Sequence, residues 1–128
     1  MKTKKEQREF VEMLYNKACE KLKILTMLPD VSFLPDRNQK AIIAFYKLSV
    51  IIQYVNEDWE PNWEDSSELK YYPWFDMRSA GLGCSATYSP ASATNASIGS
   101  RLCYKRRDLA IEWGQKLMPL YEDMLLIN

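Results

Sequence analysis

No histidine occurs anywhere in the 128 residues of this chain. Imidazole is the side chain that ordinarily titrates near neutrality, so His-dependent triads, histidine metal sites and the commonest general base are missing together. Cysteine is sparse: Cys19, Cys84 and Cys103 cannot all pair within one chain, and none shares a Cys-x-x-Cys spacing with another. Reduced thiols in a cytoplasmic setting are the plain expectation. No apolar run approaches the roughly 20 residues of a membrane span, and the charged start Met1-Lys2-Thr3-Lys4-Lys5-Glu6 has no apolar h-region, so neither a membrane nor a signal peptide is expected. Excess charge is also lacking. Seventeen Lys and Arg balance seventeen Asp and Glu, which removes the strongly basic footprint usual in duplex-binding proteins.

What is present is an ordinary globular composition, 47% apolar and 27% charged, at the usual length of one domain. A single domain over residues 1–128 follows. The zero net charge hides a local asymmetry. Residues Glu57 to Glu68 hold six acids and no base, whereas Lys70 to Arg107 hold six bases and the single acid Asp76.

Apolar periodicity predicts the elements. Phe10, Val11, Leu14, Ala18, Leu22 and Leu25 recur at helical spacing, so a first helix is expected from about Glu9 to Leu25, within a helical region 1–27. A proline-bounded linker follows, Leu28 to Pro35, with Phe33 and Leu34 expected to turn inward. Asp36 and Gln39 have capping-box spacing at the head of a central helix, 36–56, that is apolar around most of its circumference. The acidic stretch with Trp59 and Trp63 reads as a loop pinned by its tryptophans. From Lys70 to Arg78 residues alternate, Tyr71, Pro73, Phe75 and Met77 against Tyr72, Trp74, Asp76 and Arg78, as in a strand. Pro73 favours an edge or a bulge. Strands at Gly83 to Tyr88 and Ile98 to Lys105 complete an antiparallel sheet over 70–105, with a small polar loop, 89–97, between them. A C-terminal helix, 106–126, is expected to kink or restart at Pro119. The fold class expected is α+β: two N-terminal helices, a small three-stranded antiparallel sheet, and a C-terminal helix, all the helices on one sheet face around the central one.

Several segments carry a resemblance. Gln39-Lys40-Ala41, Tyr46-Lys47-Leu48, Asn56-Glu57-Asp58-Trp59-Glu60-Pro61-Asn62-Trp63, Lys70-Tyr71-Tyr72-Pro73-Trp74-Phe75, Gly99-Ser100-Arg101-Leu102-Cys103-Tyr104 and Leu109-Ala110 resemble short uncharacterised proteins encoded in phages and prophages of gut Bacteroidales. The likeness spans roughly residues 28 to 126 and leaves the first helix outside. This chain departs from the group at Arg106, where Ser or Thr is common, in the small residues after Gly83, and at Pro119. The resemblance implies a bacterial or phage origin and an intracellular location, and no reaction.

The residues assemble no reaction centre. Gly81-x-Gly83-Cys84-Ser85 lacks the Lys-Ser/Thr of a phosphate-cradling loop and reads as a turn. Cys103 lies two residues from Arg101 and from Lys105, which would favour a thiolate, but a structural thiol is the simpler reading without a histidine partner. The acids of 57–68 match no EF-hand spacing. Not an enzyme, with no cofactor and no metal, is therefore the reading. Function is expected through protein partners or self-association, as a non-catalytic phage or prophage accessory protein. One alternative is single-stranded nucleic-acid binding on an outer sheet face bearing Tyr72, Trp74, Arg78, Arg101 and Lys105, followed by Arg106 and Arg107. The competing possibility packs those aromatics under the Trp59 to Trp63 loop, with its acids pairing the same bases. Another alternative is a ligand-binding protein or hydrolase using Trp59, Trp63 and the acids around them, which requires a concave pocket there.

Overall fold

The computed structural model of the chain describes residues 2–77, 83–91 and 99–127, with backbone alone for Asp76 and 83–91. Helix α1 runs Lys4–Leu22. It begins earlier than its apolar pattern because Thr3 and Glu6 form a capping box: the Thr3 Oγ1 accepts from the Glu6 N–H at 3.1 Å and the Glu6 carboxylate accepts from the Thr3 N–H at 3.1 Å. It ends at Leu22 because Lys23 turns left-handed (φ 59°), letting the Ile24 N–H close on the Cys19 carbonyl at 3.0 Å. Leu25, expected on the helix face, therefore lies beyond the helix and is exposed.

Helix α2, Asp36–Val55, starts where expected but by another device. Pro35 is the N-cap residue and makes no side-chain cap bond, while the Gln39 amide donates backward to the Leu34 carbonyl at 3.0 Å. The expected Asp36 capping box is not formed. Leu48, Ile51 and Ile52 of α2 are sealed in the core between α1 and α4. In the linker before it Val31 is the residue that buries, and Phe33, expected inside, is 80% exposed. The tight turn that returns the Leu34 N–H to the Val31 carbonyl at 3.0 Å separates the two.

Strands β1, Lys70–Asp76, and β2, Gly83–Ala91, pair antiparallel. Alternation holds from Tyr71 to Phe75, with Tyr71, Pro73 and Phe75 turned toward the core and Trp74 exposed, but Met77, expected on the core side, is 53% exposed and Lys70, of the outer parity, is fully buried. Between Pro73 and Phe75 the register slips, so that Pro73 faces Tyr88 and Phe75 faces Cys84, the irregularity that a proline without an N–H favours. Arg78, residues 79–82, where a turn was expected to begin, and residues 92–98, of the expected polar loop and third strand, lie outside the described residues.

The expected three-stranded α+β sheet is not formed. The described residues are mostly helical, with one two-stranded ribbon. Between Gly99 and Lys105 the chain turns, and pairing there is reduced to one isolated bridge, Tyr71 with Tyr104 (N···O 3.1 and 2.7 Å). On the other edge of this segment the Asn56 side chain takes both main-chain groups, its Nδ2 donating to the Cys103 carbonyl at 2.9 Å and its Oδ1 accepting from the Lys105 N–H at 3.1 Å.

The C-terminal helical stretch is two helices, α3 (Arg107–Lys116) and α4 (Met118–Leu125), restarted at Leu117 with Pro119 in the first turn of α4. The expected common sheet face for the helices is corrected as well. Helix α3 packs on the ribbon, while α1, α2 and α4 pack on one another. Arg8 of α1 and Asp123 of α4 tie that layer with a two-pronged ion pair, 2.5 and 2.9 Å. Among the described residues no helix is long and apolar enough to cross a membrane.

Candidate functional site

The end of α2 organises the acidic loop. After Asn56 the chain makes two consecutive left-handed residues, Glu57 (φ 55°) and Asp58 (φ 62°). Non-glycine residues there carry a penalty of roughly 1–2 kcal/mol each. Side-chain bonds offset it: the Gln53 amide donates to Asp58 Oδ1 at 2.6 Å, and Lys105 Nζ donates to Glu57 Oε1 at 2.9 Å. The lysine's hydrogen bond holds the Glu57 carboxyl below its usual range.

The loop is clasped from beneath by Lys70. Its side chain is fully buried, and its ammonium donates to the main-chain carbonyls of Asn62 (2.6 Å), Asp65 (3.2 Å) and Glu68 (2.7 Å). The Glu68 carboxylate stands 3.4 Å away, and the Trp63 ring centroid is 5.1 Å off. Three acceptors and an aromatic face satisfy an ammonium that would otherwise be costly to bury. Trp63 is held in turn by donating Nε1–H to Ser100 Oγ at 2.6 Å.

Between this loop and α2 lies a mainly polar cleft of about 370 Å³. Ser49, Ile52, Gln53 and Asn56 form its α2 wall, Asp58, Trp59, Glu60 and Pro61 its rim, and Ser100 and Arg101 the facing turn. A second, mostly apolar concavity of about 460 Å³ lies between Phe10 of α1 and Met118 at the start of α4.

Of the expected surface residues, Arg78 lies outside those described. Tyr72 and Trp74 sit together, ring centroids 6.3 Å apart, with Trp74 half exposed. Arg101 faces the polar cleft instead. Lys105 is engaged with Glu57, and Arg106 with Asp108 at 3.1 Å; Arg107 opens α3. Trp59 lines the cleft and Trp63 packs toward Lys70, so the two tryptophans serve different neighbours. Cys103 is fully buried, and burial pushes its thiol up to about 11, the opposite of activation. Among the described residues no group of three Cys, Asp or Glu side chains is arranged to hold a metal.

An exposed apolar stretch was not anticipated. Leu25, Met27 and Phe33 are 74%, 73% and 80% exposed, flanked by the half-exposed Ile24 and Leu28. The Tyr15 hydroxyl fixes the start of this segment by donating to the Thr26 carbonyl at 3.1 Å. Its signal was in the composition: Ile24, Leu25, Met27, Leu28 and Phe33 crowd the end of the first helix and the proline-bounded linker, and only Leu25 among them was given a helical position.

No protein-family model matches the chain, and no curated protein or solved structure is similar to it. The functional reading therefore stands on the chain's own geometry.

Proposed function

We propose that this chain is a non-catalytic accessory protein, of phage or prophage origin and acting in the cytoplasm, whose work is done through protein contacts made by segment 24–33, with a second copy of itself as the partner. The observation that carries the reading is the outward display of Ile24, Leu25, Met27, Leu28 and Phe33 within one short stretch of chain. At roughly 200 Å² for a large apolar residue, they present on the order of 600 Å², the upper end for the largest apolar patch of a monomer. A standard interface takes about 800 Å² from each partner, so this segment supplies most of one side.

Charge favours a like partner. Residues 23–35 carry one base, Lys23, and one acid, Asp30, so two copies meet without repulsion in a two-fold arrangement where the same patch serves both sides. The engaged state of Lys105 and Arg106 favours this reading over nucleic-acid binding. Sedimentation velocity across the micromolar range tests it. The chain is expected to sediment as a dimer, and the double variant Leu25→Asp with Phe33→Asp as a monomer of unchanged helical circular dichroism. A parent chain that remains monomeric throughout sinks the proposal.

A further inference from the structure

The polar cleft at the end of α2 is built differently from the apolar segment. Its floor is rigid because its amides are already committed: Asn56 to the 103–105 main chain and Gln53 to Asp58. Ser49 donates to the Tyr46 carbonyl at 2.7 Å, and Ser100 receives the Trp63 indole. Around this fixed floor three groups make no side-chain hydrogen bond or ion pair among the described residues, namely the Trp59 indole, the Glu60 carboxylate and the Arg101 guanidinium. Glu60 and Arg101 line the same concavity and form no ion pair with each other.

We infer that this cleft is a binding site for a small polyhydroxylated ring, a mono- or disaccharide, lying against Trp59 between Glu60 and Arg101. The chemistry selects the class. A carboxylate only accepts and a guanidinium only donates, so a ligand spanning them must offer donors on one edge and acceptors on the other. Ring hydroxyls do both, and neighbouring hydroxyls match the fork of an arginine. A sugar also has an apolar C–H face to lay on an indole. Phosphate-bearing ligands are disfavoured by Asp58 and Glu60 facing one arginine, and cations by Arg101. Purely apolar ligands find polar walls. The volume, about 370 Å³, lies at the small end of ligand sites.

The test uses the full-length chain and saturation-transfer NMR with a panel of glucose, galactose, mannose, N-acetylglucosamine, maltose, cellobiose and chitobiose at millimolar concentration. At least one is expected to receive saturation through its ring protons and to change the tryptophan fluorescence. Glu60→Gln and Arg101→Ala, both at exposed positions whose loss spares the core, are expected to weaken that ligand tenfold or more, as is Trp59→Ala. Lys116→Ala, remote from the cleft, leaves binding unchanged. Absence of transfer to every sugar overturns the inference. So does binding that survives Glu60→Gln and Arg101→Ala undiminished, or selective binding of putrescine, included as a cationic competitor, in place of any sugar.

Discussion

Gly114 of α3 lies directly on Pro73 of β1, so that a Cβ at position 114 would sit 2.6 Å from the proline Cβ and 3.2 Å from its Cγ. The helix reaches the ribbon closely because one side lacks a side chain and the other carries a rigid ring. Gly114→Ala is therefore expected to destabilise the protein. Helix propensity alone would favour alanine by about 1 kcal/mol, but overpacking of this kind costs roughly 1–3 kcal/mol. A lower urea midpoint is expected, with a smaller loss in a Pro73→Gly background. A midpoint that rises in Gly114→Ala would show that the contact is slack.

Lys70→Met removes an ammonium that serves three main-chain carbonyls. Buried acceptors left without donors cost about 1–3 kcal/mol each when water cannot reach them. A loss of about 3 kcal/mol is expected, together with a red shift of tryptophan emission as Trp63 loosens. Chemical denaturation followed by fluorescence checks both, and a variant as stable as the parent would mean that the clasp is dispensable.

Asn56→Ala should cost about 2–3 kcal/mol, since it strands the Cys103 carbonyl and the Lys105 N–H at once. Asn56→Asp keeps the acceptor for Lys105 and turns the donor for Cys103 into a second acceptor, so it is not expected to rescue. Hydrogen exchange at the Lys105 amide reports the change directly; unaltered protection there would contradict the assignment.

Much of the helical layer was legible from apolar spacing alone, because Val11, Leu14, Ala18, Leu48 and Ile51 bury where a 3.6-residue period puts them. The alternation of β1 was legible from Tyr71 to Phe75 and failed at Met77, which is exposed. The third strand failed because the chain turns between Gly99 and Lys105 and keeps one bridge, Tyr104 to Tyr71, while Asn56, distant in sequence, holds the Cys103 and Lys105 main-chain groups on the opposite edge, and local pattern carries no trace of either. Phe33 failed for a related reason: hydrophobicity says what a residue prefers, not whether the fold has room for it. At the cleft, Trp59 and the acidic rim were visible as candidates, whereas Arg101 was assigned to another face because strand alternation was extended into a segment that turns.

Alkali should unfold the protein through its buried acids. Burial raises the Cys103 thiol from 9.0 to about 11 and lifts the Tyr104 phenol, whose hydroxyl lies 2.8 Å from that of Tyr121, well above its ordinary 10.0. Each raised group contributes fully below its unfolded value, and its contribution falls as pH climbs through the folded one. The urea midpoint is expected to hold to about pH 8.5 and to decline toward pH 11, with Cys103 resisting iodoacetamide in the native state at pH 8. A midpoint that is flat or rising over that window would refute the coupling.

Thr3→Ala should fray the first turn of α1. The capping box satisfies a helix donor and holds the Glu6 carboxyl below its usual range, and loss of such a cap costs about 1 kcal/mol. Faster amide exchange at Glu6 and Gln7 is the expected signature, and Thr3→Ser should restore protection. Equal exchange in all three proteins would rule out a stabilising role.

The clasp on the acidic loop recognises the path of the chain and not the identity of its residues, since the Lys70 ammonium is received chiefly by peptide oxygens. Glu64 and the side chains of Asn62 and Asp65 are thereby released from any duty toward that lysine. Glu64 can therefore change charge while the trace stays put, whereas Asn62, Asp65 and Glu68 keep a second task, their side chains accepting from the Glu64, Ser67 and Asn62 amides and so bracing the path that the buried cation holds from below.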